Sequence, residues 1–204
     1  MGVQAIAVEN AAAAEKNTIL VLGDSLSAAY GLRAEQGWVA LLQKRLETQG
    51  YGYSVTNASV SGETSSGGLQ RLPRALSVHK PAIVILELGA NDGLRGLPVA
   101  ATRRNLTQMI ELAKQAGAKV LLVGIRMPPN YGPRFVADFN ASYADLAKTY
   151  QLPLVPFLLE KLALNPQALN PQWLQQDGLH PTAPAQPLLL DTVWPYLAPM
   201  LKSK

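Results

Sequence analysis

The chain has 204 residues, of which 48% are hydrophobic, 16% charged and 6% aromatic, and this composition indicates one compact globular domain. The formal net charge is +4, but the 18 basic residues are scattered singly or in pairs, so no basic stripe favours nucleic-acid binding. The absence of cysteine excludes a disulfide, a thiolate nucleophile and a zinc site with cysteine ligands.

The first seventeen residues differ in composition from the rest of the chain, because they are rich in alanine and weakly patterned. They have neither the basic start nor the apolar run of about 7 to 15 residues that a signal peptide requires. Two interpretations stay open: an ordinary frayed terminus, or the remnant of a cleaved export signal behind an added Met1–Gly2. No apolar run approaches the roughly 20 residues that span a bilayer, so we expect a soluble protein.

From Thr18 onward, short aliphatic runs alternate with longer amphipathic stretches, which is typical of βαβ units on a parallel sheet. The aliphatic runs predict five strands, at Thr18–Leu22, Tyr53–Asn57, Ala82–Leu88, Lys119–Gly124 and Pro153–Phe157. The other stretches predict helices at Trp38–Thr48, Ser65–His79 with an interruption near Pro73, Pro98–Ala116, Pro133–Thr149 and Pro184–Leu197. We therefore expect a single α/β domain over residues 18–204, with three α/β/α layers and a flavodoxin-like five-stranded parallel sheet in the order 2-1-3-4-5.

Polar, glycine-containing loops follow the first three predicted strands. They are Gly23–Ser27, Asn57–Thr64 and Gly89–Gly93. Any one of them alone indicates a turn, since glycine, aspartate, asparagine and serine are the usual turn residues. Ligands of such sheets bind outside the carboxyl ends of the strands, near the switch in strand order, so the three loops together predict a site.

Only two histidines are available to activate a serine nucleophile. His79 ends a predicted helix, where a cation suits the helix dipole and a surface role is favoured. His180 follows the fifth strand, on the carboxyl side of the sheet, and Asp177 precedes it by three residues. We predict Ser25 as nucleophile, His180 as base and Asp177 as the carboxylate that orients it. Taken alone, Asp177 also fits the cap of a turn, and a metal site is disfavoured because hydrolytic zinc generally has three protein ligands.

Attack on an acyl carbonyl requires donors for the developing oxyanion. The neighbouring loops supply three candidates: the backbone N–H of Ser25, where we expect the chain to enter a helix, the backbone N–H of Gly62, and the side-chain amide of Asn91. Each such donor is typically worth about 10²- to 10³-fold in rate. Asp24 is expected to hold the loop by accepting backbone hydrogen bonds.

These residues together resemble the SGNH hydrolase superfamily, also called the GDSL esterases and lipases. Four blocks carry the resemblance, namely Gly23–Ser27, Asn57–Gly62, Gly89–Asp92 and Asp177–Pro181. The superfamily's nucleophile, oxyanion glycine, oxyanion asparagine and base match Ser25, Gly62, Asn91 and His180, and its acid matches Asp177.

Further stretches are similar to the bacterial multifunctional thioesterase I, lysophospholipase and arylesterase group. They are Arg71–Pro73, Glu87–Gly96, Ile125–Gly132 and Val155–Phe157. This resemblance implies hydrolysis of acyl thioesters, aryl esters and lysophospholipids, no cofactor, a periplasmic or secreted location, and a mobile substrate-gating loop at Asp92–Leu97. Ala90 is a departure, since close relatives usually carry glycine there, and its methyl group bears on loop flexibility and substrate range.

Apolar residues near the active edge of the sheet predict an acyl groove that suits medium or long chains. They are Leu94, Leu97, Met127, Pro129, Tyr131 and Phe157. Ordinary packing explains the same residues equally well. Two other functions stay open: an O-acetyl (carbohydrate) esterase and a non-catalytic α/β domain that binds a polar small molecule. We expect a monomer with a small-molecule acyl substrate, no nucleic acid partner and no metal.

Overall fold

The computed structural model describes residues 17–164 and 172–202, so the predicted leader lies outside this part of the chain apart from Asn17. Its five strands form one parallel sheet in the order β2-β1-β3-β4-β5, which confirms the predicted topology. The strands are β1 (Thr18–Gly23), β2 (Ser54–Asn57), β3 (Ile83–Glu87), β4 (Lys119–Val123) and β5 (Leu154–Val155). All five predicted strands are present.

Seven α-helices occur in the described residues. They are α1 (Trp38–Thr48), α2 (Ser65–His79), α3 (Ala90–Leu94), α4 (Val99–Gln115), α5 (Pro133–Tyr150), α6 (Glu160–Ala163) and α7 (Gln186–Leu197). The sequence patterns missed α3 and α6, because a helix of four or five residues is too short to show an amphipathic period. Over the described part of the chain, no helix is long and apolar enough to cross a membrane.

The central strands are buried on both faces, and alternate side chains enter two separate hydrophobic clusters. Leu20 and Leu22 of β1 point to one cluster, while Ile19 and Val21 point to the other. This period of two is the geometry of an extended strand, in which successive side chains lie on opposite faces. Helices α2, α4 and α5 cover the first cluster, and α1 and α7 cover the second. The three-layer α/β/α arrangement follows.

Helix α2 corrects one prediction, since it runs without interruption from Ser65 to His79 with Pro73 inside it. A proline in a helix removes one N–H donor and crowds the carbonyl four residues earlier, so a break was expected. The Thr64 hydroxyl caps the first turn by accepting from Gly67 N, and Leu72 and Leu76 are buried against the sheet. Burial of this apolar face stabilises α2 by more than the exposed Pro73 destabilises it, so the helix continues through the proline.

Candidate active site

The candidate nucleophile Ser25 lies directly after β1, at the carboxyl edge of the sheet. The backbone at Ser25 forms turns and does not enter a helix, which corrects the sequence prediction. One helical bond joins Ala28 N to the carbonyl of Asp24 at 2.9 Å, but Tyr30 N then bonds the carbonyl of Ser25 at 3.2 Å, one residue further back. Ala29 adopts a left-handed φ of 58°, which ends the helical geometry after one turn. Ser25 is therefore held on a tight loop.

Ser25 Oγ lies 2.8 Å from Nε2 of His180, although 155 residues separate them in the chain. On the other side of the ring, Nδ1 of His180 lies 2.6 Å from Oδ2 of Asp177. With the Nδ1 proton donated to the carboxylate, Nε2 is free to accept the hydroxyl proton of Ser25. The structure thus brings the three predicted side chains into one hydrogen-bonded row.

Asp177 also caps the turn that carries His180. Its Oδ1 accepts the backbone N–H of Leu179 at 2.9 Å and that of His180 at 3.0 Å. These two bonds, with the smaller contribution of the imidazole, lower the pKa of Asp177 to about 2. The carboxylate of Asp177 therefore caps the turn and also orients the imidazole ring. Both interpretations of Asp177 from the sequence, as a turn cap and as a partner of His180, hold at once. It is ionised throughout the neutral range.

The three candidate oxyanion donors border the same cavity as Ser25 Oγ and His180. Gly62 has a φ of +78°, which favours glycine, and a methyl group built on it would make only an ordinary contact, 3.9 Å from a guanidinium nitrogen of Arg95. The Asn91 side chain lies in the first turn of α3 and donates through Nδ2 to the carbonyl of Glu63 at 2.9 Å. It also donates to Oδ2 of Asp24 at 3.2 Å. Both amide protons are thus engaged without substrate.

Two buried carboxyl groups, those of Asp24 and Glu87, support residues 25–32 after β1, which we call the nucleophile loop. Asp24 accepts the N–H of Leu26 at 3.0 Å, as expected from the sequence. Glu87, at the end of β3, is fully buried and accepts the hydroxyl of Ser27 at 2.7 Å and the N–H of Asp24 at 3.3 Å. Burial, followed by the nearby Asp24 carboxylate, raises the pKa of Glu87 well above its usual value. Burial also raises the pKa of Asp24, to about 6.

Sequence reasoning assigned no role in the site to Glu87, and it placed Asp92 in a site block and a gating loop without predicting its buried hydrogen bonds. Asp92 is buried and accepts the backbone N–H of Ser65 at 2.8 Å and the hydroxyl of Thr102 at 3.2 Å, so it joins α3 to α2 and α4. A charged residue inside an otherwise aliphatic strand was the available signal for Glu87, because such a residue is rarely buried without partners.

Among the described residues, no group of acidic, histidine or cysteine side chains is arranged to hold a metal ion.

A cavity of about 530 Å³ opens beside Ser25 and His180, with walls that are mainly apolar. Leu94, Met127 and Phe157 line it, as the sequence predicted. Leu97, Pro129 and Tyr131 do not. Leu97 and Pro129 are exposed to solvent, and the Tyr131 hydroxyl donates to the carbonyl of Leu94 at 3.1 Å.

The remaining apolar wall comes from side chains that the sequence analysis did not assign to the acyl groove. Its side chains are Leu26, Tyr30, Ile125, Leu159, Leu162, Ala163, Leu174 and Leu179. Most of them lie on or beside α6 and on the loop that carries His180, which meet the nucleophile loop only in the folded chain. Ala90 lies at the first position of α3, next to Asn91, and also borders the cavity.

Comparison with known proteins gives consistent matches over most of the chain. Esterase TesA of Pseudomonas aeruginosa is 53% identical over 188 residues, which cover 92% of this chain and 91% of that protein. The thioesterase 1/protease 1/lysophospholipase L1 of Escherichia coli is 45% identical over 189 residues, covering 93% and 87%. A crystal structure of TesA superposes with a TM-score of 0.84 at 53% identity, covering 90% of this chain and 99% of that one.

The match to a whole family covers the same region. Residues 21–186 match the GDSL-like lipase/acylhydrolase family, and this range includes Ser25, Gly62, Asn91, Asp177 and His180. Together with the fold and the identities above, this match shows that the chain belongs to the GDSL-like lipase/acylhydrolase family.

Proposed function

We propose that the protein hydrolyses carboxylic esters and thioesters through an acyl-enzyme formed on Ser25. The observation that carries this proposal is the hydrogen-bonded row from Ser25 Oγ through His180 to Asp177, at the wall of an apolar cavity. Nucleophile, base and orienting acid within hydrogen-bond reach of each other are what covalent catalysis by a serine requires. The names of the family and of the two relatives agree with this chemistry.

In the acylation step, Ser25 Oγ attacks the acyl carbon while its proton passes to Nε2 of His180. The imidazolium that forms is stabilised by the ionised Asp177, whose low pKa keeps its charge available. The tetrahedral intermediate then collapses, and His180 returns the proton to the leaving alcohol oxygen or thiol sulfur. The acyl group remains on Ser25 as an ester.

The negative oxygen of the tetrahedral intermediate is bound by the N–H groups of Ser25 and Gly62 and by Nδ2 of Asn91. Since both protons of Asn91 Nδ2 are engaged without substrate, the oxyanion takes the place of the longer bond, the one to Asp24 at 3.2 Å. The hydrogen bond to the carbonyl of Glu63 is retained, and it keeps the Asn91 amide oriented towards the oxyanion. Such a preoriented donor stabilises the transition state more than the substrate.

Deacylation repeats the sequence with water. His180 removes a proton from a water molecule as it attacks the acyl carbon of Ser25, and it then returns that proton to Ser25 Oγ. The carboxylic acid leaves and the free enzyme is restored. No metal or cofactor takes part in these steps.

The apolar cavity favours substrates with medium or long acyl chains, of the aryl ester, thioester or lysophospholipid type. A volume of about 530 Å³ exceeds what an acetyl group fills, so it disfavours the O-acetyl esterase alternative. Rates measured over a chain-length series of p-nitrophenyl esters and acyl-CoAs separate the two functions. We expect kcat/KM to rise from acetyl to octanoyl or longer, whereas activity confined to acetyl substrates would overturn the long-acyl proposal.

The non-catalytic alternative, a domain that only binds a polar molecule, has no use for an imidazole hydrogen-bonded to a serine. A Ser25→Ala protein tests it on the same ester series. We expect hydrolysis to fall to background, and undiminished hydrolysis would refute the mechanism.

The proposal also includes the setting of the enzyme. We propose a monomer with one catalytic domain over residues 18–204 that works in the periplasm or outside the cell. The alanine-rich composition of residues 1–17 agrees with one of the two interpretations that the sequence leaves open, the remnant of a cleaved export signal. Light scattering on the purified protein checks the first statement, and cell fractionation of the full gene product checks the second.

A further inference from the structure

The candidate nucleophile and base lie on two separate loops. Ser25 follows β1, whereas His180 lies on residues 172–182, which we call the acid–base loop. This loop is held internally by backbone bonds from Gln175 N to the carbonyl of His180 at 2.8 Å and from Thr182 N to that of Trp173 at 3.0 Å. Asp177 also lies on it. The pair of Asp177 and His180 is therefore fixed within one loop, but the distance to Ser25 depends on how the two loops meet.

The side chain of Gln175 joins these loops. Its Nε2 donates one proton to the carbonyl of Tyr30 at 2.8 Å, on the nucleophile loop. The other proton goes to the carbonyl of Pro181 at 3.1 Å, next to His180 on the acid–base loop. Both donors of the amide are satisfied, so one rigid planar group fixes two backbone carbonyls relative to each other.

Gly31 and Tyr30 of the nucleophile loop lie close to Gln175 and to the acid–base loop. Its Oε1 packs against the Cα of Gly31, which has a φ of +72°, and a methyl group at that position would collide with the oxygen. The ring of Tyr30 lies 4.5 Å from the imidazole of His180, measured between ring centroids, so the same residue touches the acid–base loop a second time. Gly31 permits the close approach that the two hydrogen bonds need.

We propose that Gln175 is a positioning residue, which sets the separation of Ser25 Oγ and His180 Nε2 by fastening the acid–base loop to the nucleophile loop. The inference rests on the proposed function, because it assumes that Ser25 and His180 react together. Misplacement of a reacting group by about 1 Å costs on the order of 10²-fold in rate. A loop that carries the base and has lost its fastening is displaced on this scale.

Two variants test the proposal. Gln175→Ala removes both hydrogen bonds, and Gln175→Glu keeps the size of the side chain but replaces its donors by a carboxylate that faces two carbonyl oxygens. Gln176→Ala, an exposed neighbour in the same loop, is the matched control. We expect kcat on a p-nitrophenyl ester to fall about 10- to 100-fold for Gln175→Ala and further for Gln175→Glu, with KM within about threefold and the control near wild type.

The pH profile distinguishes positioning from a general loss of structure. Because Asp177 and His180 move together on one loop, the acid limb of kcat/KM should keep its midpoint while the plateau falls. The rate at which a fluorophosphonate labels Ser25 in Gln175→Ala should fall by the same factor as kcat. The melting temperature of this variant should stay that of the wild type. Wild-type kcat in Gln175→Glu would overturn the proposal. So would a shifted acid limb in the uncharged Gln175→Ala variant, or a loss of activity that follows the loss of fold.

Crystal structures of the wild type and Gln175→Ala give a readout that does not depend on hydrolysis. We expect the Oγ–Nε2 separation to lengthen beyond hydrogen-bond reach in the variant, and an unchanged separation would contradict the inference. If the wild-type protein hydrolysed no ester, the proposed function would fail, while this distance would still decide the role of Gln175.

Discussion

Asp177 makes three hydrogen bonds in the turn that carries His180: its Oδ1 accepts the backbone N–H groups of Leu179 and His180, and its Oδ2 lies 2.6 Å from Nδ1 of the His180 ring. The first two define the turn, and the third defines the orientation and tautomer of the imidazole. A change confined to Oδ2 therefore separates the folding of the loop from its chemistry.

Asp177→Asn makes this change, because the asparagine oxygen replaces Oδ1 on the backbone while its amide group faces Nδ1. The amide forces the proton of His180 onto Nε2, where it can no longer accept from Ser25. We expect kcat to fall on the order of 10³- to 10⁴-fold with little change in melting temperature. Kinetics on a p-nitrophenyl ester, together with thermal melting, make the check, and more than a tenth of wild-type activity would contradict this role.

Asn91→Ala removes one of the three proposed oxyanion donors. Because Asn91 is expected to bind the transition state more tightly than the substrate, kcat should fall by about 10²- to 10³-fold while KM stays within about threefold. Steady-state kinetics measure both values. A rise in KM with unchanged kcat would show that Asn91 only binds substrate.

Glu87→Gln tests the buried carboxyl beneath the nucleophile loop. The raised pKa of Glu87 means that the folded protein holds its proton more tightly than the unfolded chain, so this contribution to stability is lost as pH rises through the folded-state pKa. Glutamine does not titrate. The melting temperature of the variant relative to wild type should therefore increase from pH 5 to pH 9, and a constant difference between the two proteins would contradict the raised pKa.

Ala163→Phe should shorten the acyl cavity, because Ala163 lies on α6 in the cavity wall. Each methylene that leaves the apolar wall costs about 0.8 kcal/mol, so kcat/KM for decanoyl esters should fall about tenfold or more. Acetyl and butyryl esters should be hydrolysed at nearly wild-type rates. Ala137→Phe, at an exposed position of α5, is the matched control, and an equal loss for short and long esters would contradict the placement of the acyl chain.

The fold could be predicted because its signals are local. The aliphatic runs of β1, β3 and β4 bury both faces of the strands, and the alternation of strands with helices leaves few topologies. The break predicted at Pro73 was wrong because packing of Leu72 and Leu76 is a tertiary effect that no local rule contains.

The site could be predicted only in part. Ser25, Gly62, Asn91, Asp177 and His180 stand in short motifs after predicted strands, and a parallel sheet brings the carboxyl ends of its strands to the same edge. Gln175 gives no such signal, because its two partners are backbone carbonyls and one of them, that of Tyr30, is 145 residues away. The wall formed by α6 was missed for the same reason.

The most direct test of the central claim is labelling by a fluorophosphonate, followed by peptide mass spectrometry. It should modify the peptide that contains Ser25 at a single serine, with loss of ester hydrolysis in proportion to labelling. Ser25→Ala should neither react nor hydrolyse, while Ser66→Ala, an exposed serine on α2, should do both like wild type. Modification at another serine, or hydrolysis that survives complete labelling of Ser25, would contradict the account.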